Sequence, residues 1–225
     1  MKEMQNMNTA TVNAAQENMM NTIEKKVKEM LMNKENFLSN IFVGVQQNST
    51  DPIVKDYCDD FDGIEKYIYV RVEQDNSVAH CKITEAILND IDLSIDDAWK
   101  YAHHNTEEET LLVNLREKMK EMLGLEFDED TEEPAPIYIV TNKSNIRGAS
   151  AILNKKLIKA FAKKMNVDKL IVLPSSIHEM LIIPYNEFAE NNFCMEDMND
   201  MVSVINATEV TPKERLTSRA YLIEV

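Results

Sequence analysis

The sequence predicts an α+β fold: a largely antiparallel sheet with helices packed on one face, preceded by an N-terminal helical segment. Three observations carry that expectation. "EKYIYVRVEQ" alternates, is rich in β-branched and aromatic residues, and leads through "QDNS" into "VAHCKI", which is the pattern of a hairpin over residues 65 to 83. Four short apolar runs follow residue 136, namely "IYIVTN", "KLIVLP", "EMLIIP" and "AYLIEV", and turn-forming residues bound them. Between and before these strands lie stretches with apolar residues three and four apart, the spacing of a helix with one buried face.

Taken in order, Met20, Ile23, Val27, Met30 and Leu31 give a helix over about residues 10 to 33 one apolar stripe. "STDPIVKDYCDDF" predicts a short helix, with Pro52 near its first position, where the missing N–H costs nothing. After the hairpin, Ser94 and Asp97 start a helix carrying Ala98, Trp99 and Tyr101 that ends near "HHN". Thr106 and Glu109 form a capping box for another, with Leu112, Leu115, Met119 and Met122 on one face and Gly124 at its end. In the last third, "GASAIL" is expected to be a strand, Asn154 to cap the helix "KKLIKAFAKKM", and "MEDMNDMVSVINAT" to be a helix with Met198, Met201, Val202 and Ile205 inward. Thr211, Pro212 and Glu214 cap one more short turn. The expected organisation is an N-terminal helical segment over 1–63, a hairpin plus helices over 64–124, an acidic linker over 125–136, and an α+β portion over 137–225. The second and fourth are expected to form one globular unit.

Composition removes several classes of function. A formal net charge of −15 argues against unaided binding to nucleic acid, where Lys and Arg must displace counterions from phosphates. Residues 107 to 133 hold eleven acids against Arg116, Lys118 and Lys120, so much of the charge is local. That stretch is expected to be a solvated linker, or else an acidic lure for a basic protein partner through Glu126, Asp128, Glu129 and Asp130. Four isolated glycines leave neither GxGxxG nor GxxxxGK[ST], so a phosphate cradle of glycine backbone is missing and no cofactor is expected. Cys58, Cys81 and Cys194 are too far apart for a CxxC site and odd in number, which fits reduced thiols. His103 and His104 point about 100° apart on a helix, so no metal is expected there. His80 stands alone on its strand. The amide-rich start lacks the apolar stretch of a secretion signal, and no run approaches the roughly 18 apolar residues of a membrane span, so a cytoplasmic location is expected.

Two sites invite a chemical reading. In "VLPSSIHEMLIIP", Ser175 or Ser176 could be a nucleophile, His178 its base and Glu179 the orienting acid. Consecutive residues of an extended chain point to opposite sides, however, and the G-x-S-x-G elbow is absent. Ile182 stands where a zinc-binding HExxH would need its second histidine. The favoured reading is a hairpin connection, with Pro174 ending one strand, the serines bonding to turn backbone, and His178 and Glu179 opening the return strand. In "NIRGAS", Arg147 beside Gly148 is a candidate anion contact against a charged loop with a glycine turn.

From about residue 64 to 225 the chain resembles a bacterial family of unknown function from Firmicutes and their mobile elements. The resemblance rests on "ITEAILNDIDLSIDDAWKYAHHNT", an acidic linker, "IYIVTNKSNIRGASAIL", "LIVLPSSIHEMLIIP" and "MVSVINATEVTPKERLTSRAYLI", in that order. "GASAIL", a helix and "LIVLPSS" are similar, more remotely, to a second bacillar family. The resemblance implies a shared fold and no reaction, and "MKEMQNMNTATVNAAQ" stands in place of the longer N-terminal region usual there. Together these observations point to a non-enzymatic interaction or regulatory protein acting through protein–protein contacts, with a hydrolase using the 175–179 segment as the alternative.

Overall fold

The computed structural model of the protein describes residues 21–22, 25–74, 77–124, 136–190 and 194–225. Among them, nine strands form two antiparallel sheets. The first is built around β3 (Ile64–Gln74), with β1 (Ile41–Gln47) along one side and both β2 (Lys55–Tyr57) and β4 (Ser77–Lys82) along the other. The second contains β5 (Thr110–Asn114), β6 (Tyr138–Asn142), β7 (Lys169–Ser176), β8 (Glu179–Pro184) and β9 (Tyr221–Glu224), in the spatial order β5-β6-β8-β7-β9. The class is therefore α+β with antiparallel pairing, the strands being divided between two sheets. No helix among the described residues is long and apolar enough to cross a membrane.

Alternation along β3 separates the two faces of the first sheet. Ile68, Val70 and Val72 point with Ile41 and Val43 into a core closed by Phe37, Leu88, Ala98 and Ala102. These four come from α2 (Lys34–Ser39), α3 (Glu85–Asp90) and α4 (Ile95–Glu109). A preceding stretch, α1, helical over 25–31, packs Val27, Met30 and Leu31 against the same core. It is the described part of the helix expected over 10 to 33; Met20 and Ile23 lie outside the described residues. Helix α4 also closes the outer edge of β1. Asn105 donates to the carbonyls of Leu38 and Ile41, both at 2.8 Å, and the Thr106 hydroxyl accepts from the Val43 N–H at 2.9 Å. Side chains thus occupy the backbone groups that an edge strand otherwise offers to a further strand.

On one face of the second sheet, α6 (Lys155–Met165) and a 3₁₀ helix (Gly148–Leu153) enclose Val140, Leu170, Val172, Met180 and Ile182. Val45, Phe61 and Ile64 of the first sheet enter this same core, so one apolar interior joins the two sheets. The opposite face packs Ile171, Leu173 and Ile183 against Phe188 of α7 (Tyr185–Glu190) and Met198 and Val202 of α8 (Met195–Thr208).

Four elements differ from the sequence-based expectation. "GASAIL" is the 3₁₀ helix: five of its six residues are buried, and their small side chains let the backbone lie between β6 and β1. A short apolar run carries no period that distinguishes such a wedge from a strand. Residues 50 to 61 form no helix. Lys55–Tyr57 pair with Tyr67–Glu65 instead, and this places β1 and β2 within the N-terminal segment read as helical. Between 106 and 123, α4 runs through "HHN" to Glu109, residues 110–114 form β5, and α5 (Leu115–Leu123) is capped by Asn114 and ended by Gly124. The Thr106 hydroxyl bonds back to the Ala102 carbonyl, so it cannot start a helix there. On α8, Met201 and Ile205, expected inward, are exposed at 43% and 36%. Other expectations are met: β3 and β4 pair as a hairpin, Asn154 caps α6, and Thr211 donates to Glu214 at 2.8 Å.

Replacing Asn105 by Ala strands two carbonyls at the α2–β1 junction, and the expected result is a loss of about 1–3 kcal/mol, read as a lower urea midpoint at unchanged m-value.

Candidate functional site

The face of the first sheet turned away from the helices carries Phe42 and Gln46 of β1, Glu65, Tyr67, Tyr69 and Arg71 of β3, and His80 and Lys82 of β4. Tyr67 and Tyr69 are each only 1% exposed. Gly44 makes room for the first of them, since a Cβ at 44 would lie 2.6 Å from the Tyr67 ring. Burial raises the pKa of both phenols, against the opposing pull of Arg147 on Tyr67 and of Arg71 on Tyr69.

Each buried charge on this face is met by specific partners. Burial by itself would raise the Glu65 carboxyl, but bonds from Gln46 at 2.6 Å and Ser49 at 2.7 Å, with Lys55 at 3.2 Å, hold it below the ordinary carboxylate value. Arg71 lies 4.0 Å over the Phe42 ring and forms two parallel 2.8 Å bonds with Glu109, the last residue of α4. Burial disfavours its charge; the Glu109 and Tyr69 hydrogen bonds outweigh this and raise its pKa. Lys82 pairs with Asp51 at 2.8 Å. His80 packs against Tyr69 with ring centroids 5.3 Å apart. Burial, and then the positive charges of Arg147 and Arg71 with the neighbouring His178, push its pKa down to about 4.

Arg147 and His178 reach this face from the second sheet. The loop after β6 is tied by the buried Asn142 side chain, which donates to the Ile146 carbonyl and accepts from the Ile146 N–H and the Ser144 hydroxyl. Asn145 and Arg147 both take φ of 54°, a left-handed conformation that costs a non-glycine residue energy. At Gly148 a Cβ would collide with Thr141 and come within 2.8 Å of the His178 carbonyl, so the loop and the β7–β8 turn touch through bare backbone. From this loop the Arg147 guanidinium donates to the Tyr67 hydroxyl at 2.6 Å.

The β7–β8 turn is clamped on three sides. Ile177 donates to the Glu214 carbonyl at 2.9 Å and accepts from the Ala149 N–H at 3.2 Å, while Thr141 donates to the His178 carbonyl at 2.9 Å. The Ser176 hydroxyl accepts from the backbone N–H of His178 at 3.0 Å, and Ser175 sits at the bulge in β7. Glu179 opens β8 opposite Ser176. The His178 imidazole turns elsewhere: its Nδ1 accepts from the Arg147 backbone N–H at 3.2 Å, which leaves Nε2–H facing Glu214 at 3.4 Å. Glu214 is held below its ordinary pKa by Thr211 first and by His178 next. Ser175, Ser176, His178 and Glu179 are thus not gathered into one group, whereas His178 and Arg147, from separate segments, are. Glu126, Asp128, Glu129 and Asp130 lie outside the described residues.

Alternation along "EKYIYVRVEQ" already places Tyr67, Tyr69 and Arg71 on one face, and that signal was available in the sequence. Glu109 and Glu214 carried none, because their partners are 38 and 36 residues away. Among the described residues, no three His, Cys, Asp or Glu side chains are grouped to hold a metal. In comparison with known proteins, residues 57–224 match a family of unknown function, DUF5688. No curated protein and no solved structure matches the chain.

His80 generates a pH prediction. In the unfolded chain it titrates near its ordinary 6.5, in the folded protein near 4, so between these values the unfolded state binds more protons. Its contribution to stability is present above pH 6.5 and is lost as pH falls toward 4. His103, also lowered chiefly by burial, titrates in the same direction. Unfolding midpoints across this window should therefore fall with acid, and His80→Gln should flatten the fall while leaving the part due to His103.

Proposed function

Since the chain belongs to this family of unknown function, which brings no reaction with it, we propose from its geometry a non-enzymatic interaction or regulatory role, exercised through protein–protein contacts. One observation carries the reading. The imidazole that a hydrolase would use as its base is committed at both nitrogens, to the Arg147 N–H and to Glu214, while the neighbouring Ser176 hydroxyl is committed to turn backbone. Acyl transfer needs a nucleophile within hydrogen-bond reach of its base, with a third group orienting the base. Here the third group is present and the first is engaged elsewhere.

What supports contact with a partner is the surface. Helix α8 turns Met201, Val204 and Ile205 outward, an apolar row on a chain of net charge −15. The acidic run containing Glu126, Asp128, Glu129 and Asp130 suits a basic partner on charge alone. The bacterial, mobile-element setting implied by the sequence resemblance, and a cytoplasmic location, belong to this proposal.

The purified protein is expected to show no turnover on a panel of esters and peptides, and His178→Ala to change nothing. A rate that disappears in His178→Ala would overturn the reading. Affinity capture from a native extract at physiological salt is expected to retain a partner, and replacing the four acids at 126, 128, 129 and 130 by their amides should release it.

A further inference from the structure

We propose that the polar face of the first sheet binds an oxyanion, a phosphate or a carboxylate, between the Arg147 guanidinium and the Tyr67 hydroxyl. The inference goes beyond the interaction reading above and stands without it, because it concerns a different surface and a different class of ligand.

On this face Arg71 pairs with Glu109 and Lys82 with Asp51, and the His178 imidazole faces Glu214, whereas among the described residues no carboxylate lies within ion-pair distance of Arg147. Glu214 acts on Arg147 only through space, so the half-buried guanidinium keeps N–H groups that no described carboxylate binds directly. Its described side-chain partner is the Tyr67 oxygen, a neutral acceptor. That bond orients two donors toward one region. Tyr67 accepts from Arg147 at 2.6 Å and keeps its own proton to give, and no described group accepts it. Guanidinium N–H and phenol O–H groups side by side suit an oxyanion, which offers several lone pairs and no proton.

The surroundings agree. Lys82 lies 5.4 Å from the Tyr67 ring centroid, and His80 and His178 complete the rim. The phenol proton is secure, since burial raises the Tyr67 pKa. Burial first, and Arg147 and Arg71 next, disfavour a charge on His80, so Arg147, Arg71 and Lys82 supply the fixed positive charge of this face. Access comes from the side of Arg147, His80 and His178, which are all half-buried, and of Lys82, which is exposed. The donors are also held in place beforehand: the Asn142 tether and the backbone contact at Gly148 fix the loop that carries Arg147.

The test uses the full-length protein and two-dimensional NMR of backbone and imidazole signals, titrated with inorganic phosphate, with succinate and with chloride at matched ionic strength. Saturable shifts at Tyr67, Arg147 and the imidazoles of His80 and His178 are expected from phosphate or succinate, with a Kd on the order of 1 mM or tighter. The arm that saturates identifies the source of the oxyanion. Arg147→Gln, which keeps the left-handed burden of that position, should weaken binding by about tenfold or more, and Tyr67→Phe, which keeps the ring over Gly44, by several-fold. Absence of saturable shifts in both arms, equal shifts from chloride, or an unchanged affinity in Arg147→Gln overturns the proposal. Should Arg147→Gln fail to fold, Tyr67→Phe decides: wild-type affinity in that variant overturns it.

Discussion

Everything at the candidate site depends on one close approach of backbone to backbone. The 3₁₀ segment Gly148–Leu153 is wedged between the two sheets, and at Gly148 there is no space for even one carbon beyond Cα. That contact brings the β6 loop against the β7–β8 turn. Arg147, one residue before the wedge, is thereby forced into a left-handed conformation and aimed across the first sheet. His178, on the turn, is brought to the Arg147 N–H. Packing of small side chains thus sets the direction of a charged one. The cost of the positive φ angles at Asn145 and Arg147 is offset by the Asn142 hydrogen bonds and by burial of Ala149, Ala151 and Ile152.

The same wedge explains why the two sheets act as a unit. Val45, Phe61 and Ile64 of the first sheet share a core with Val140, Val172 and Met180 of the second, and Leu153 packs against the cores on both sides. The Arg71–Glu109 bridge adds a directional link at the point where α4 turns into β5. Its two parallel bonds and low exposure distinguish it from the exposed pairs elsewhere, such as Lys25–Glu29, which contribute little. Rigidity at this junction is what a preorganised binding face requires. It is also a poor setting for a Ser–His nucleophile pair, because the imidazole is spent on holding the loop.

Electrostatics divides the molecule. Its net charge is strongly negative, and the most acidic run lies between 107 and 133. Cations nevertheless converge on the outer face of the first sheet, where Lys82 lies over Tyr67, and Arg147 and Arg71 add to burial in lowering the His80 pKa. An acidic run in the sequence and a local cationic basin are compatible because each interaction is screened over roughly 8 Å at physiological salt.

How much of this was legible beforehand follows from the range of the forces involved. Alternation along β3 determined which of its residues share a face, and caps at Ser94 and Asn154 determined where α4 and α6 begin. These are local effects, acting within about one turn or one strand, and the sequence by itself determined them. Tertiary structure alone decided that "GASAIL" would be a helical wedge, that 110–114 would leave the helical pattern to pair with β6, and that Lys55–Tyr57 would become a strand. It alone decided that Arg147 would meet Tyr67 across 80 residues of chain and His178 would meet Glu214 across 36. In each case the deciding energy was a hydrogen bond or buried area supplied by a distant segment, and such terms leave no periodicity in the local sequence from which they could be read.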